Sequence, residues 1–217
     1  MRGAGLIVLL AVLAALGAGC GGSEQDAVSS SPEATVATPA GRLTSGGFSG
    51  TAASPSKPAP PLRLENAQGR QVDIDQYRGK AVVVTFLYTN CPDVCPLVVG
   101  NLRTAQRELG PEVKDLQVIA VSVDPAGDTP AAVARFLKAR RMTHRMEYLI
   151  GSRPQLEKVW SDWGVVSRSS PTKNDPHLVE HSALIYGVSA GGRITTLYPT
   201  QFEPAQIVHD VPILASE

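Results

Sequence analysis

Sulfur is scarce in this chain, and neither sign of charge is in excess. The 217 residues include 3 cysteines, Cys20, Cys91 and Cys95. So few sulfurs cannot build a disulfide framework, so the fold must rest on its core. Lys plus Arg number 20 and Asp plus Glu number 20, which gives no electrostatic grip on nucleic acid or on an acidic partner. The chain lacks a glycine-rich phosphate loop, a serine nucleophile elbow and an internal repeat, so none of those chemistries is indicated. Its length suits one ordinary domain plus extra segments. With so little sulfur, each cysteine needs its own explanation.

The first 20 residues account for one. Arg2 supplies a positive start, Leu6 to Ala18 is uncharged and rich in Leu, Val and Ala, and Gly17-Ala18-Gly19 leads to Cys20. This pattern predicts an export signal, and Cys20 before Gly21-Gly22-Ser23 resembles the lipidated cysteine of a bacterial lipoprotein. Gly17 stands where a large apolar residue is usual, so an ordinary cleaved signal or an uncleaved anchor remain alternatives. The stretch is short beside the about 20 apolar residues of a spanning helix. Residues 21–61 are dominated by Ser, Ala, Thr, Pro and Gly and bury too little to offset ordering entropy, which predicts a disordered tether. A coil of about 40 residues spans on the order of 35 Å. That reach suits a domain meeting a partner near the membrane, and equally a plain spacer.

The folded domain is expected over 62–217. Leu62-Arg63-Leu64 and Val72-Asp73-Ile74 alternate around Asn66-Ala67-Gln68-Gly69 and predict an N-terminal β-hairpin. Ala81 to Tyr88 is a continuous β-branched and aromatic run, the mark of a strand buried on both faces. Leu97 to Leu109 has helical spacing, with Pro96 expected in the first turn. Leu116 to Val123 predicts a second buried strand, and Thr129-Pro130 an N-cap and first residue of a helix to about Arg141. A strand at Met146 to Ile150, a helix at Pro154 to Trp163 and an irregular polar stretch from Ser167 to Glu180 follow. Strands at Ser182 to Val188 and Arg193 to Tyr198 then precede a last helix from Glu203 to about Leu214, with Pro212 a point where it can stop. Strands alternating with helices predict an α/β fold with a central mixed sheet flanked by helices. A cysteine pair at the carboxyl end of the first central strand makes the arrangement thioredoxin-like.

Chemistry concentrates in Cys91-Pro92-Asp93-Val94-Cys95-Pro96. A helix that begins at Pro96 puts both sulfurs at its amino terminus, where the macrodipole favours thiolate, the form that attacks disulfides and binds soft metals. A plain stabilising disulfide would close a short loop, where the entropic gain is smallest. Of the four histidines, His209 falls in the last helix and His144 in a basic loop, both surface positions; His177 and His181 lie in the polar stretch. His181 immediately precedes a buried strand. In a thioredoxin-like sheet that position faces the cysteine turn, and a thiol reductase keeps a cis-proline there. Two sulfurs and one imidazole suit copper, or zinc with a fourth ligand.

The run Phe86-Leu87-Tyr88-Thr89-Asn90 with the cysteine motif, then Ser122-Val123-Asp124-Pro125 with Asp128-Thr129-Pro130, then Glu180-His181-Ser182, resembles the Sco/SenC family in order and spacing from about Pro61 onward. The resemblance implies a membrane-anchored thioredoxin-like protein that binds copper, as Cu(I) and also Cu(II), through Cys91, Cys95 and His181. It implies a role in assembling the binuclear copper centre of cytochrome c oxidase, as metal donor, thiol reductant or both. The expected partner is the copper-accepting oxidase subunit or another copper protein. The expected place is the outer face of the bacterial cytoplasmic membrane, with a lipid on Cys20 where many relatives have a transmembrane helix. Asp93 and Asp124 also match the family pattern. Either can support the site, Asp93 as an acceptor and Asp124 by orienting His181 or a motif amide; plainer roles are turn residue and helix-start residue. Enzymatic activity is left open. The chief rival is a thiol–disulfide oxidoreductase whose redox pair is Cys91 and Cys95. The absence of proline before the Ser182 strand argues against a general reductase. A peroxide-reducing activity has weak support from Thr89, and a copper sensor or buffer is the last alternative.

Overall fold

The computed structural model describes residues 47–173, 178–182 and 184–217. The expected export signal, Cys20, tether residues 21–46 and His177 lie outside the described residues. Among the described residues, ten strands and four α-helices follow in the order β1 (Thr51–Pro58), β2 (Arg63–Asn66), β3 (Gln71–Asp73), β4 (Ala81–Leu87), α1 (Val94–Glu108), β5 (Leu116–Ser122), α2 (Pro130–Ala139), β6 (Glu147–Ile150), α3 (Arg153–Asp162), β7 (Ser167–Ser169), β8 (Val179–His181), β9 (Leu184–Val188), β10 (Arg193–Pro199) and α4 (Pro204–Ser216).

Eight strands form one sheet in the order β1-β10-β9-β4-β5-β6-β2-β3. Its centre, β4-β5-β6, is parallel, and β9, β10, β1, β2 and β3 join it antiparallel. Every residue of β4 is buried, as its unbroken apolar run requires of a strand covered on both faces. α1 connects β4 to β5 and packs against α4. On α3, Trp160 Nε1 donates to the Ser122 carbonyl at the end of β5, and Trp163, just beyond α3, sets its ring against Phe86 and Tyr186. The architecture is the expected thioredoxin-like α/β fold, with its N-terminal hairpin formed by β2 and β3. Thr129 caps α2 as expected, its hydroxyl accepting from the Ala132 amide.

Several boundaries differ from the sequence reading. α1 begins at Val94 with Asp93 as N-cap, two residues before Pro96. Proline is tolerated there because amides of a first helical turn have no intrahelical acceptor to lose. α4 runs through Pro212 to Ser216; Val211 and Leu214 are buried on either side of the proline and hold both segments on the core. The polar stretch after Trp163 is not wholly irregular: β7 and β8 pair as a two-stranded ribbon. The expected tether also ends earlier than residue 61. Thr51–Pro58 is β1, antiparallel to β10, and Phe48 is buried.

The clamp for this early segment is remote in sequence. Asp210 in α4 is buried, and its carboxylate accepts from the Ser49 amide (2.7 Å), the Gly50 amide (2.9 Å) and the Tyr198 hydroxyl (2.8 Å). Gly50 leaves room for the approach, since a Cβ there would overlap the Thr196 and Tyr198 side chains. Asp210→Ala strands the Ser49 and Gly50 amides and the Tyr198 hydroxyl and is expected to cost about 3 kcal/mol or more, while Tyr198→Phe costs about 1 kcal/mol. Urea unfolding of the two variants checks this; equal stability of Asp210→Ala and wild type contradicts the clamp.

Candidate metal centre

The cysteine loop hangs between the end of β4 and the start of α1. A buried carboxylate fixes its first turn. Asp128 Oδ1 accepts from the Thr89 amide at 2.8 Å, and Oδ2 accepts from the Ser122 hydroxyl at 2.6 Å and the Tyr148 hydroxyl at 2.9 Å. Burial pushes the Asp128 pKa up, and the hydrogen bonds from Ser122, Thr89 and Tyr148 oppose the shift. The Leu87 carbonyl also accepts from the Val123 amide at 2.9 Å. Loop, β5 and β6 are thereby joined at the edge formed by the carboxyl ends of the central strands.

Cys91 in the loop and Cys95 in α1 are both buried and form no disulfide. Cys95 lies in the first turn of α1, so its amide has no intrahelical acceptor. It donates instead to Cys91 Sγ at 3.4 Å. Cys91 is pulled down to about 5 by the Cys95 thiol hydrogen bond first, with the Cys95 and Asp93 amides adding to it against desolvation. Cys95 is pushed well above its ordinary range by the same shared proton and by burial. The Cys95 amide on Cys91 Sγ and the deeper burial of Cys95 both favour charge on Cys91 and the proton on Cys95.

His181 ends β8, and two contacts bring it to the same edge. The Ser167 hydroxyl donates to the Val123 carbonyl at 3.2 Å, which pins β7 to the end of β5, and Ser167 is the register partner of His181. The His181 ring then meets Tyr88 edge-on, with centroids 5.9 Å apart and planes at 85°. Its Nδ1 lies 3.0 Å from the Ser182 carbonyl. A carbonyl only accepts, so Nδ1 carries a proton; in the neutral ring the lone pair is then on Nε2. Cys91, Cys95 and His181 share one edge, but among the described residues no three His, Cys, Asp or Glu side chains converge closely enough to hold an ion.

The two aspartates are placed differently. Asp93 is exposed and makes no side-chain cap bond; its backbone amide is what reaches Cys91. Asp124 is buried, and its Oδ1 accepts from the Ala126 amide at 3.2 Å and the Gly127 amide at 2.9 Å, closing the turn toward α2. A Cβ on Gly127 would overlap Asp124 Oδ2 and stand 2.8 Å from Asn90 Nδ2. Glycine there lets the residue before Cys91 approach the Asp124 turn. Asp128 and Tyr88 are the site residues the sequence reading left without a role. Both stand inside the quoted motifs, but their importance lies in contacts to other elements.

With this geometry in view, a family model described as SCO1/SenC matches residues 51–216. The chain belongs to the SCO1/SenC family. It is 33% identical over 138 residues to the mitochondrial SCO2 homolog of Bos taurus, covering 62% of this chain and 51% of that protein. The chain spans about half the length of the curated relatives it matches first. Among solved structures, the apo Sco1 protein of Thermus thermophilus is 32% identical with a TM-score of 0.65, covering 78% of this chain and 97% of that one. The copper-bound ScoI of Bradyrhizobium japonicum is 29% identical with a TM-score of 0.64, covering 71% and 97%.

The split between the sulfurs of this SCO1/SenC chain has a direct chemical readout. Iodoacetamide attacks thiolate, so the reduced, metal-free protein should alkylate at Cys91 first, with a rate midpoint near pH 5. Cys95→Ala removes the leading cause and should return the midpoint toward the ordinary thiol range of about 8.5. A midpoint that is ordinary in wild type, or unchanged in Cys95→Ala, contradicts the shared proton.

Proposed function

We propose that this chain is a copper chaperone that carries Cu(I) on Cys91 and Cys95, with His181 completing the donor set, and delivers it to the binuclear copper site of cytochrome c oxidase. The observation that carries the reading is a Cys91 sulfur that accepts from the Cys95 amide, which favours its thiolate, with the His181 ring held against Tyr88, the residue that opens the same loop. Soft thiolates select Cu(I), and a neutral imidazole with its lone pair on Nε2 is a suitable third donor. The copper-bound ScoI of Bradyrhizobium japonicum, similar over 71% of this chain, supports copper as the cargo. Cu(II) would use the same donors with a further group.

Copper loading displaces the proton of Cys95, since both sulfurs must be thiolates to bind. Release is by ligand exchange, as acceptor cysteines or histidines replace these donors in turn. The exposed loop residues Asn90, Pro92 and Asp93 give an acceptor its first contact, while Cys91 and Cys95 themselves are buried beneath them. Among the described residues the exposed large apolar side chains are Leu97, Val166 and Leu184. Leu97 follows Cys95 by two residues, Val166 is hydrogen-bonded to Ser182, and Leu184 begins the strand after His181. Apolar surface beside both donor segments suits a docking protein. Among the described residues no helix is long and apolar enough to cross a membrane. We place the domain on the outer face of the cytoplasmic membrane, held there by a lipid on Cys20.

A second reading uses the same asymmetry. An ionised Cys91 can attack a disulfide of the acceptor, and Cys95, after losing its proton, can resolve the mixed disulfide. The acceptor leaves as a dithiol and the pair as a disulfide, a two-electron exchange.

Metal analysis and chelator competition on the reduced full-length protein separate these readings. The chaperone reading expects one Cu(I) per chain, its loss in Cys91→Ser and Cys95→Ser, and at least about tenfold weaker binding in His181→Ala. Unchanged stoichiometry and affinity in His181→Ala would overturn the three-donor site. Rapid turnover of a disulfide acceptor peptide without copper would favour the reductase.

A further inference from the structure

Tyr88 follows β4 directly and leads into the cysteine loop. It is 3% exposed, although the loop it opens reaches the surface at Asn90, Pro92 and Asp93. Its ring and that of His181 form a T-shaped pair with centroids 5.9 Å apart. Its hydroxyl end reaches the Cys91 side chain and the backbone of Val179, two residues before His181 in the same strand. One side chain therefore touches both halves of the donor set. Between the halves there is no convergence of three donors in the described residues. Tyr88 is the aromatic side chain in contact with each half.

We propose that Tyr88 is a positioning residue that holds His181 away from the cysteine pair while the protein is empty, so that His181 must give up its contact with the Tyr88 ring to close on the cargo. The inference rests on the copper reading above. The ring sets the spacing, and the hydroxyl fixes that spacing to the β8 backbone. Loading exchanges a ring–ring contact for a metal–imidazole bond, and release restores the contact. The contact thus favours handing the metal on. Edge-to-face ring pairs of this kind change an equilibrium by about two- to tenfold, which is the size of effect expected on metal release.

The test follows Cu(I) transfer from the loaded full-length protein, in detergent, to the chelator bathocuproine disulfonate. Tyr88→Leu should slow transfer by about two- to tenfold, because His181 closes without having to leave a ring. Tyr88→Phe, which keeps the ring, should move the rate less than Tyr88→Leu does. In a His181→Ala background the Tyr88→Leu effect should vanish; equal effects in both backgrounds overturn the proposal. If the leucine variants do not fold, ring-to-ring nuclear Overhauser contacts in the wild-type protein decide the matter. Contacts between Tyr88 and His181 should be present in the reduced, metal-free protein and lost on adding one Cu(I). Their persistence while the His181 resonances shift on loading overturns the spacing role alone. If the His181 resonances do not respond to Cu(I), and His181→Ala binds copper as wild type does, the three-donor reading falls and this inference with it.

Discussion

The Asp128 carboxylate, closed off from water, accepts from the Thr89 amide, the Ser122 hydroxyl and the Tyr148 hydroxyl. These donors come from the cysteine loop, β5 and β6. A buried carboxylate is costly unless its hydrogen bonds are made, and here each of its partners is held on a separate element. The loop is therefore not free to settle wherever its own turn residues prefer. Its first residue is fixed to the sheet, and Cys91 follows two residues later. The rest of the site inherits that constraint.

From there the asymmetry of the two sulfurs follows. The start of α1 supplies the Cys95 amide to the Cys91 sulfur, while Cys95 itself turns into the core as a buried helical residue. One sulfur gains hydrogen bonds that stabilise charge, and the other donates its proton and loses water. The same division that makes Cys91 a ready ligand also makes it a ready nucleophile. Which chemistry prevails depends on what lies opposite, and opposite lies an imidazole whose Nδ1 proton is taken by the Ser182 carbonyl. An imidazole at the same end of the sheet as one stabilised sulfur and one protonated sulfur is the set that the copper reading uses.

Much of this was legible in the sequence where local chemistry decides it. The apolar run of β4, the Thr129-Pro130 helix start and the hairpin around Asn66–Gly69 each carry their own signal. What was not legible depends on distant partners. β1 is built of small and polar residues, with no apolar alternation; it is ordered by pairing with β10 and by the Asp210 clamp on Ser49 and Gly50. β7 and β8 have three residues each, too few to show a period. At the site, Cys91, Cys95 and His181 were singled out by residue type and spacing. Tyr88 and Asp128 were not assigned roles, because a tyrosine after a buried strand and an aspartate before a helix have ordinary local explanations. Their roles reside in contacts to β8 and to the β5–β6 edge.

The most direct measurement of the central claim is X-ray absorption at the copper edge of the Cu(I)-loaded, full-length protein. The account predicts two sulfur scatterers and one nitrogen scatterer around each copper, with the nitrogen lost in His181→Ala and the sulfurs retained. A wild-type spectrum without an imidazole contribution, or one unchanged by His181→Ala, would contradict it.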